Sequence, residues 1–199
     1  MADRRTVWFL SHPQVRVDPG TPVPQWNLSE LGRARARGLA GAPFLVVASS
    51  VWTSCETKAR ETARLLAPAD VPVLEREDLG ENDRSATGFV APERFEHLAE
   101  AFFASPQVSV CGWATAADEQ RRIISAVDAV LADERAGDGD VVVVSHGGVG
   151  TLLLCSLLDR SITRALDQPG QGHFFAFDRD QRHVLHHWRP LEDLAAGSR

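Results

Sequence analysis

Two histidines stand at matching points of two apolar runs. Thr6-Val7-Trp8-Phe9-Leu10 ends on Ser11-His12-Pro13, and Val141-Val142-Val143-Val144 ends on Ser145-His146-Gly147-Gly148. Neutral imidazole is a good nucleophile toward phosphorus, and the phosphoramidate it forms is readily hydrolysed. A metal is the competing use for paired histidines, but no third ligand stands at a recognisable spacing. Gly147 and Gly148 suit close approach of backbone N–H groups to an anion at a helix N-terminus. They suit a tight strand-to-helix turn equally well.

For the two histidines to meet, the elements carrying them must share a sheet edge. The first apolar run reads as a strand over 6–10. A Pro/Gly-rich loop follows, then a helix N-capped by Ser29 that stops near Gly41-Ala42-Pro43. Phe44 to Ala48 reads as a second strand ending on Ser49-Ser50. A helix is predicted from Glu56 to Leu66, with Ala59, Ala63 and Leu66 on one face, and a third strand over Val71–Leu74. Residues 78–115 are irregular around one helix, Pro92–Phe103, and read as an insertion. A long helix over 116–134, the buried strand 141–144 and a helix over 149–158 follow. Strands at 174–178 and 184–188 close the chain as a hairpin around Arg179-Asp180-Gln181. Strands alternating with helices imply an α/β sandwich with a mostly parallel sheet, whose ligands sit beyond the carboxyl ends of the strands. His12, Ser49-Ser50 and His146 are thus expected on one edge.

The bulk properties exclude several classes. At 199 residues the chain reads as one domain able to bury a sizeable core. A net charge of −6 argues against nucleic acid and anionic membranes as partners, though it leaves room for a local positive pocket. No apolar stretch approaches a membrane span, and Arg4-Arg5 with its short apolar run does not read as a signal peptide. Cys55, Cys111 and Cys155 lack CxxC spacing and read as free thiols of a reducing compartment, with a cytoplasmic address expected. Cys55 is expected to be buried. Lys58 is the only lysine, so every other fixed side-chain cation is arginine.

Five segments in order resemble the histidine phosphatase superfamily, which includes the cofactor-dependent phosphoglycerate mutases. They are Ser11-His12-Pro13 after a strand; Leu28-Ser29-Glu30-Leu31-Gly32-Arg33-Ala34-Arg35-Ala36; Ser49-Ser50 with Lys58-Ala59-Arg60-Glu61-Thr62-Ala63; Glu81 in Asp78-Leu79-Gly80-Glu81; and Ser145-His146-Gly147-Gly148. The resemblance implies a three-layer α/β/α sandwich, with the 78–115 insertion roofing the pocket. It implies His12 as nucleophile, Glu81 as general acid and base, and His146 with basic residues stabilising the phosphoryl oxygens. Neither metal nor cofactor is implied, and the partner is a small phosphorylated molecule. Oligomeric state stays open.

Two positions depart from the family pattern. Ser11 stands where an arginine precedes the nucleophile, and Lys58 stands at a second arginine. An ammonium is a point charge and cannot grip two phosphate oxygens as a planar guanidinium does. Pro13 also removes a backbone donor beside the nucleophile. Three readings follow. Lys58 with Arg16 or Arg84 rebuilds the grip; or the chain is a decayed anion-binding or regulatory module; or the site takes a carboxylate. Ser11 and Gly147 complete the expected phosphate-binding set. Asp83 is the alternative to Glu81, within an acidic stretch that includes Glu75, Glu77 and Asp78. No cation cluster suits a mutase, so a hydrolase is expected. His183 and His187 are expected at the surface with His186 on the opposite face, His97 on an exposed helix face, and His173 at the pocket border.

Overall fold

The computed structural model describes residues 5–196; residues 1–4, including Arg4 of the Arg4-Arg5 pair, and 197–199 lie outside the described residues. In chain order the elements are β1 Thr6–Ser11, α1 Glu30–Arg37, α2 Pro43–Val46, β2 Ala48–Ser54, α3 Thr57–Leu66 and β3 Val73–Arg76. They continue with α4 Pro92–Ala104, α5 Ala116–Ala132, β4 Asp140–Ser145, α6 Gly147–Leu157, β5 His173–Asp178, β6 Val184–Pro190 and α7 Glu192–Ala195. The six strands form one sheet in the order β3-β2-β4-β1-β5-β6. The β3-β2, β2-β4 and β4-β1 pairs are parallel, while β5 pairs antiparallel with both neighbours. This is a three-layer α/β/α sandwich with a mostly parallel sheet.

Alternation along the central strands divides the core in two. Val141 and Val143 face one side with Phe9, Phe175 and Phe177, packed against Ile123, Val127 and Val130 of α5 and Leu152 of α6. Val142 and Val144 face the other side with Leu10 and Phe174, against Ala59, Ala63 and Leu66 of α3 and Phe44 and Leu45 of α2. A strand covered on both faces needs apolar residues at every position, which is why 141–144 is an unbroken valine run. Phe102 and Phe103 of α4 join the first layer together with Trp113.

The strand expected over Phe44–Ala48 is a correction. Pro43 opens a single helical turn, α2, and the strand starts only at Ala48. Proline suits a first helical position because its missing N–H is unpaired there anyway. Ser49 and Ser50 therefore begin β2 rather than end it, and their hydroxyls both donate to Ala136 O at the opposite sheet edge. Smaller boundary shifts occur at α1, which stops at Arg37, and at β3, which starts at Val73. Ser29 caps α1 as expected, its hydroxyl accepting from the Gly32 amide at 3.0 Å.

Helix α6 lies tightly on the sheet at Gly150. A Cβ there would stand 2.6 Å from Phe9 and 2.7 Å from Trp188. Phe9 is fully buried and has no room to yield. Gly150→Ala is therefore expected to destabilise the fold by about 1–3 kcal/mol, despite alanine's better helix propensity. A denaturant midpoint equal to or above wild type would count against this packing.

Candidate active site

β1 and β4 are adjacent and parallel, and their last residues, Ser11 and Ser145, are register partners. The chains thus leave the sheet side by side, and His12 N donates to Ser145 O at 3.1 Å. The two imidazoles meet edge to face with ring centroids 5.2 Å apart.

The His12 ring has a defined tautomer. Its Nδ1 lies 2.9 Å from Pro13 O. A carbonyl only accepts, so Nδ1 carries the proton and Nε2 the lone pair. Nε2 has no hydrogen-bond partner among the described residues. Burial, with Lys58 and Arg84 adding like-charge repulsion, brings the His12 pKa down to about 4, so the ring is neutral near pH 7. Pro13, the residue that loses a donor, supplies the acceptor that sets this tautomer.

His12 lines a cavity of about 180 Å³ together with Lys58, Glu81, Asn82, Arg84, Gly147 and Gln168. Its far wall is apolar, formed by Trp26, Phe95, Phe102, Phe103 and Trp113, with Arg164 at the margin. A larger depression of about 690 Å³ shares Glu81 but not His12. Its walls include Arg76, Asp78, Glu119 and Arg122, with both arginines already joined in Arg76–Asp78 and Arg122–Glu119 pairs, and otherwise the carboxylates Glu77 and Asp83, so it offers an anion no unpaired cation.

Glu81 sits at the start of α6. Its Oε1 accepts from Val149 N at 3.2 Å and Asn82 N at 3.0 Å, and its Oε2 from Gly148 N at 3.4 Å. The anion spot anticipated at Gly147-Gly148 thus holds this protein carboxylate. Burial nevertheless raises the Glu81 pKa, with Glu56 adding to the rise against the opposing pull of Arg84 and the backbone donors. Asp83 is different: it is exposed, bonded to Ser85 N, and held below the usual carboxylate range by Ser85. Glu81, not Asp83, shares the cavity with His12.

The expected cations fare unequally. Arg84 lines the cavity, its guanidinium 4.9 Å from the centre of the Phe95 ring, and it has no ion-pair partner among the described residues. Arg16 is exposed and does not line the cavity. Lys58 does line it but is 2% exposed and committed, donating to Val23 O at 3.0 Å and pairing with Glu56. Ser11 lines neither of these cavities. Its hydroxyl lies 2.5 Å from Gln168 Oε1 and accepts from His173 N at 3.0 Å. Gly147 is hemmed in, because a Cβ there would stand 1.9 Å from Gln168 Nε2.

His146 is fully buried and, unlike His12, does not line the cavity. Its Nε2 is 2.8 Å from Ser54 Oγ and 3.4 Å from Glu56 Oε1, while Nδ1 has no partner among the described residues. Burial pushes its pKa well down. Glu56 Oε1 also accepts from Glu81 N at 2.8 Å. Burial works against the Glu56 charge, but His146, Lys58 and the Glu81 amide together hold its pKa at about 2.

Sequence reasoning missed Ser54, Glu56, Asn82 and Gln168. The β-forming run Val51-Trp52-Thr53, and the count back from Lys58 to Thr53-Ser54, were the signals for the true strand end. Nothing local marked Gln168. Asn82 is 9% exposed, lines the cavity, and its Nδ2 is an unpaired buried donor among the described residues. Cys55 is exposed, contrary to expectation, since it lies in the turn between β2 and α3. His183, His187 and His97 are exposed, and His186 packs on Phe174 with centroids 4.9 Å apart. His173, expected at the pocket border, does not line the cavity; its backbone N–H and carbonyl are both bonded to the Ser11 hydroxyl. Among the described residues no group of three metal-ligating side chains comes together, and no helix is long and apolar enough to cross a membrane.

A family model described as the histidine phosphatase superfamily (branch 1) matches residues 12–184. No curated protein matches. Solved structures do. A structure titled Mycobacterial hydrolase 1 superposes with a TM-score of 0.74 at 21% identity, over 93% of this chain and 96% of that one. Mycobacterial glucosyl-3-phosphoglycerate phosphatase, in complex with inorganic phosphate, has a TM-score of 0.73 at 22% identity, over 93% and 94%. The alpha-ribazole phosphatase from Shigella flexneri has 0.68 at 20%, over 98% and 99%. At these identities the likenesses establish the fold.

Proposed function

The chain belongs to the histidine phosphatase superfamily, and from that membership we propose that it is a phosphomonoester hydrolase acting through a phosphohistidine on His12, with no metal in the reaction. The observation that carries this reading is the His12 ring: Nδ1–H tied to Pro13 O, Nε2 bearing a free lone pair, and the ring neutral in the physiological range. That lone pair attacks phosphorus as the P–O bond to the leaving group breaks. Glu81, whose protonated form is favoured by burial, gives its proton to the departing oxygen. Water then attacks the phosphohistidine, Glu81 takes the proton, and phosphate leaves with His12 restored.

Charge on the phosphoryl oxygens falls to Arg84 and the Asn82 amide, cavity-wall donors without a side-chain hydrogen-bond partner among the described residues. His146 is fully buried outside the cavity lining, so it joins them only by exchanging its Ser54 bond for a phosphoryl oxygen. Residues 78–115 act as a roof, since Asn82, Arg84, Phe95 and Trp113 all line the cavity. The apolar wall suits a small organic leaving group, and the phosphatase names of two structural neighbours support this class.

The test is the pH profile of phosphate release from an aryl phosphate. His12 gains a proton as pH falls toward about 4, which removes the lone pair, so the rate drops on the acid side. Glu81 loses its proton as pH rises through its raised pKa, so the rate also drops on the alkaline side. A bell-shaped profile is expected, with its acid limb near pH 4. No release at any pH would reject the proposal. One observation favours the second reading, an anion-binding module without turnover: Lys58 is already neutralised by Glu56. Phosphate binding without release would select it.

A further inference from the structure

Glu56 is a buried carboxylate lodged among groups that the proposed reaction needs for the phosphoryl group. Its side chain is 14% exposed, and one oxygen pairs with the Lys58 ammonium. The other oxygen lies 3.4 Å from His146 Nε2 and accepts from Glu81 N. A strand end, a helix start and the acid-bearing loop thus converge on one anion supplied by the chain itself. Lys58 lines the cavity with Arg84 and Arg164, and its other hydrogen bond goes to Val23 O rather than toward open space.

We propose that Glu56 is an internal competitor for the phosphate subsite: its carboxylate satisfies Lys58 and faces His146 in place of a phosphoryl group, and so sets how strongly the site holds phosphate. This rests on the phosphatase reading of the same cavity. The physical reason is charge bookkeeping. Lys58 and Glu56 sum to zero, so a phosphate dianion meets Arg84 as its one uncompensated cation, with a fixed negative charge close behind. To recruit Lys58 or His146, phosphate must displace the Glu56 carboxylate. A competitor of this kind weakens retention of the product phosphate and favours phosphoryl groups of lower charge. Glu56 also holds the backbone of Glu81, so it need not be discarded in an active site; it trades phosphate affinity for the position of the acid.

Inorganic phosphate binding, measured by calorimetry without any turnover, tests this in wild type and Glu56→Gln. The glutamine keeps an oxygen for the Glu81 amide but loses the charge. Tightening by about ten-fold or more is expected, the scale of one released charge-assisted hydrogen bond. Lys58→Met placed on top of Glu56→Gln should cancel that gain, because the gain comes from the freed ammonium. Unchanged or weaker phosphate binding by a folded Glu56→Gln protein overturns the inference. Should that variant not fold, a wild-type crystal soaked in phosphate decides. Glu56 swung off Lys58 supports the proposal; phosphate bound with the Glu56–Lys58 pair intact, or no phosphate bound, overturns it. Turnover by wild type with no tightening in Glu56→Gln defeats this inference alone. Tightening without turnover in either protein defeats the catalytic reading and leaves this one standing.

Discussion

His12→Ala is expected to lower phosphate release from an aryl phosphate by roughly 10⁴-fold or more, the scale seen when a covalent nucleophile is removed. The size follows from the absence of a stand-in. His146 is the neighbouring imidazole, but it is fully buried and its Nε2 is engaged by Ser54. No other nucleophilic ring lines the cavity. The removed side chain makes one hydrogen bond, to the adjacent Pro13 carbonyl, so the variant should keep the fold, with a circular dichroism spectrum like wild type. Wild type quenched with base during turnover should carry an acid-labile phosphate on His12, and the variant none. Equal release by the two proteins would remove His12 from the reaction.

Glu81→Gln carries the second large effect, a fall in kcat of about 10²–10⁴-fold, the usual worth of a positioned general acid. The amide is close in shape and can still accept from Val149 N and Asn82 N, so the α6 contact survives. What it lacks is the proton for the leaving oxygen. The loss should therefore shrink for a strongly acidic phenol, which departs without help, and be greatest for an alkyl phosphate. The alkaline limb of the pH profile should vanish with it. Asp83→Asn is the contrast, with activity near wild type, because Asp83 is exposed and turned to Ser85. A uniform loss across leaving groups would make Glu81 a structural residue.

Much of the arrangement was legible because it is local. Strand patterns at 6–10 and 141–144 place a histidine at each end, and alternation with helices makes those ends neighbours. The error at 44–50 was local too. Two serines resemble a strand stop, yet Pro43 turns the chain into α2 and lets the strand run on to Ser54. That shift of several residues replaced Ser49-Ser50 by Ser54 in the site.

By itself the sequence determined the strand-end histidines, the sandwich and the family, since periodicity and motif order survive without coordinates. Only the tertiary structure decided which charges remain free. Lys58 and Arg84 look alike as cations in a string of letters. In the fold, Lys58 is spent on Glu56 while Arg84 lines the cavity without an ion pair among the described residues. Ser11 met Gln168 from 157 positions away, a contact no local pattern encodes. Electrostatic partnership depends on distance in space and on exclusion of water, and both exist only after the chain has folded.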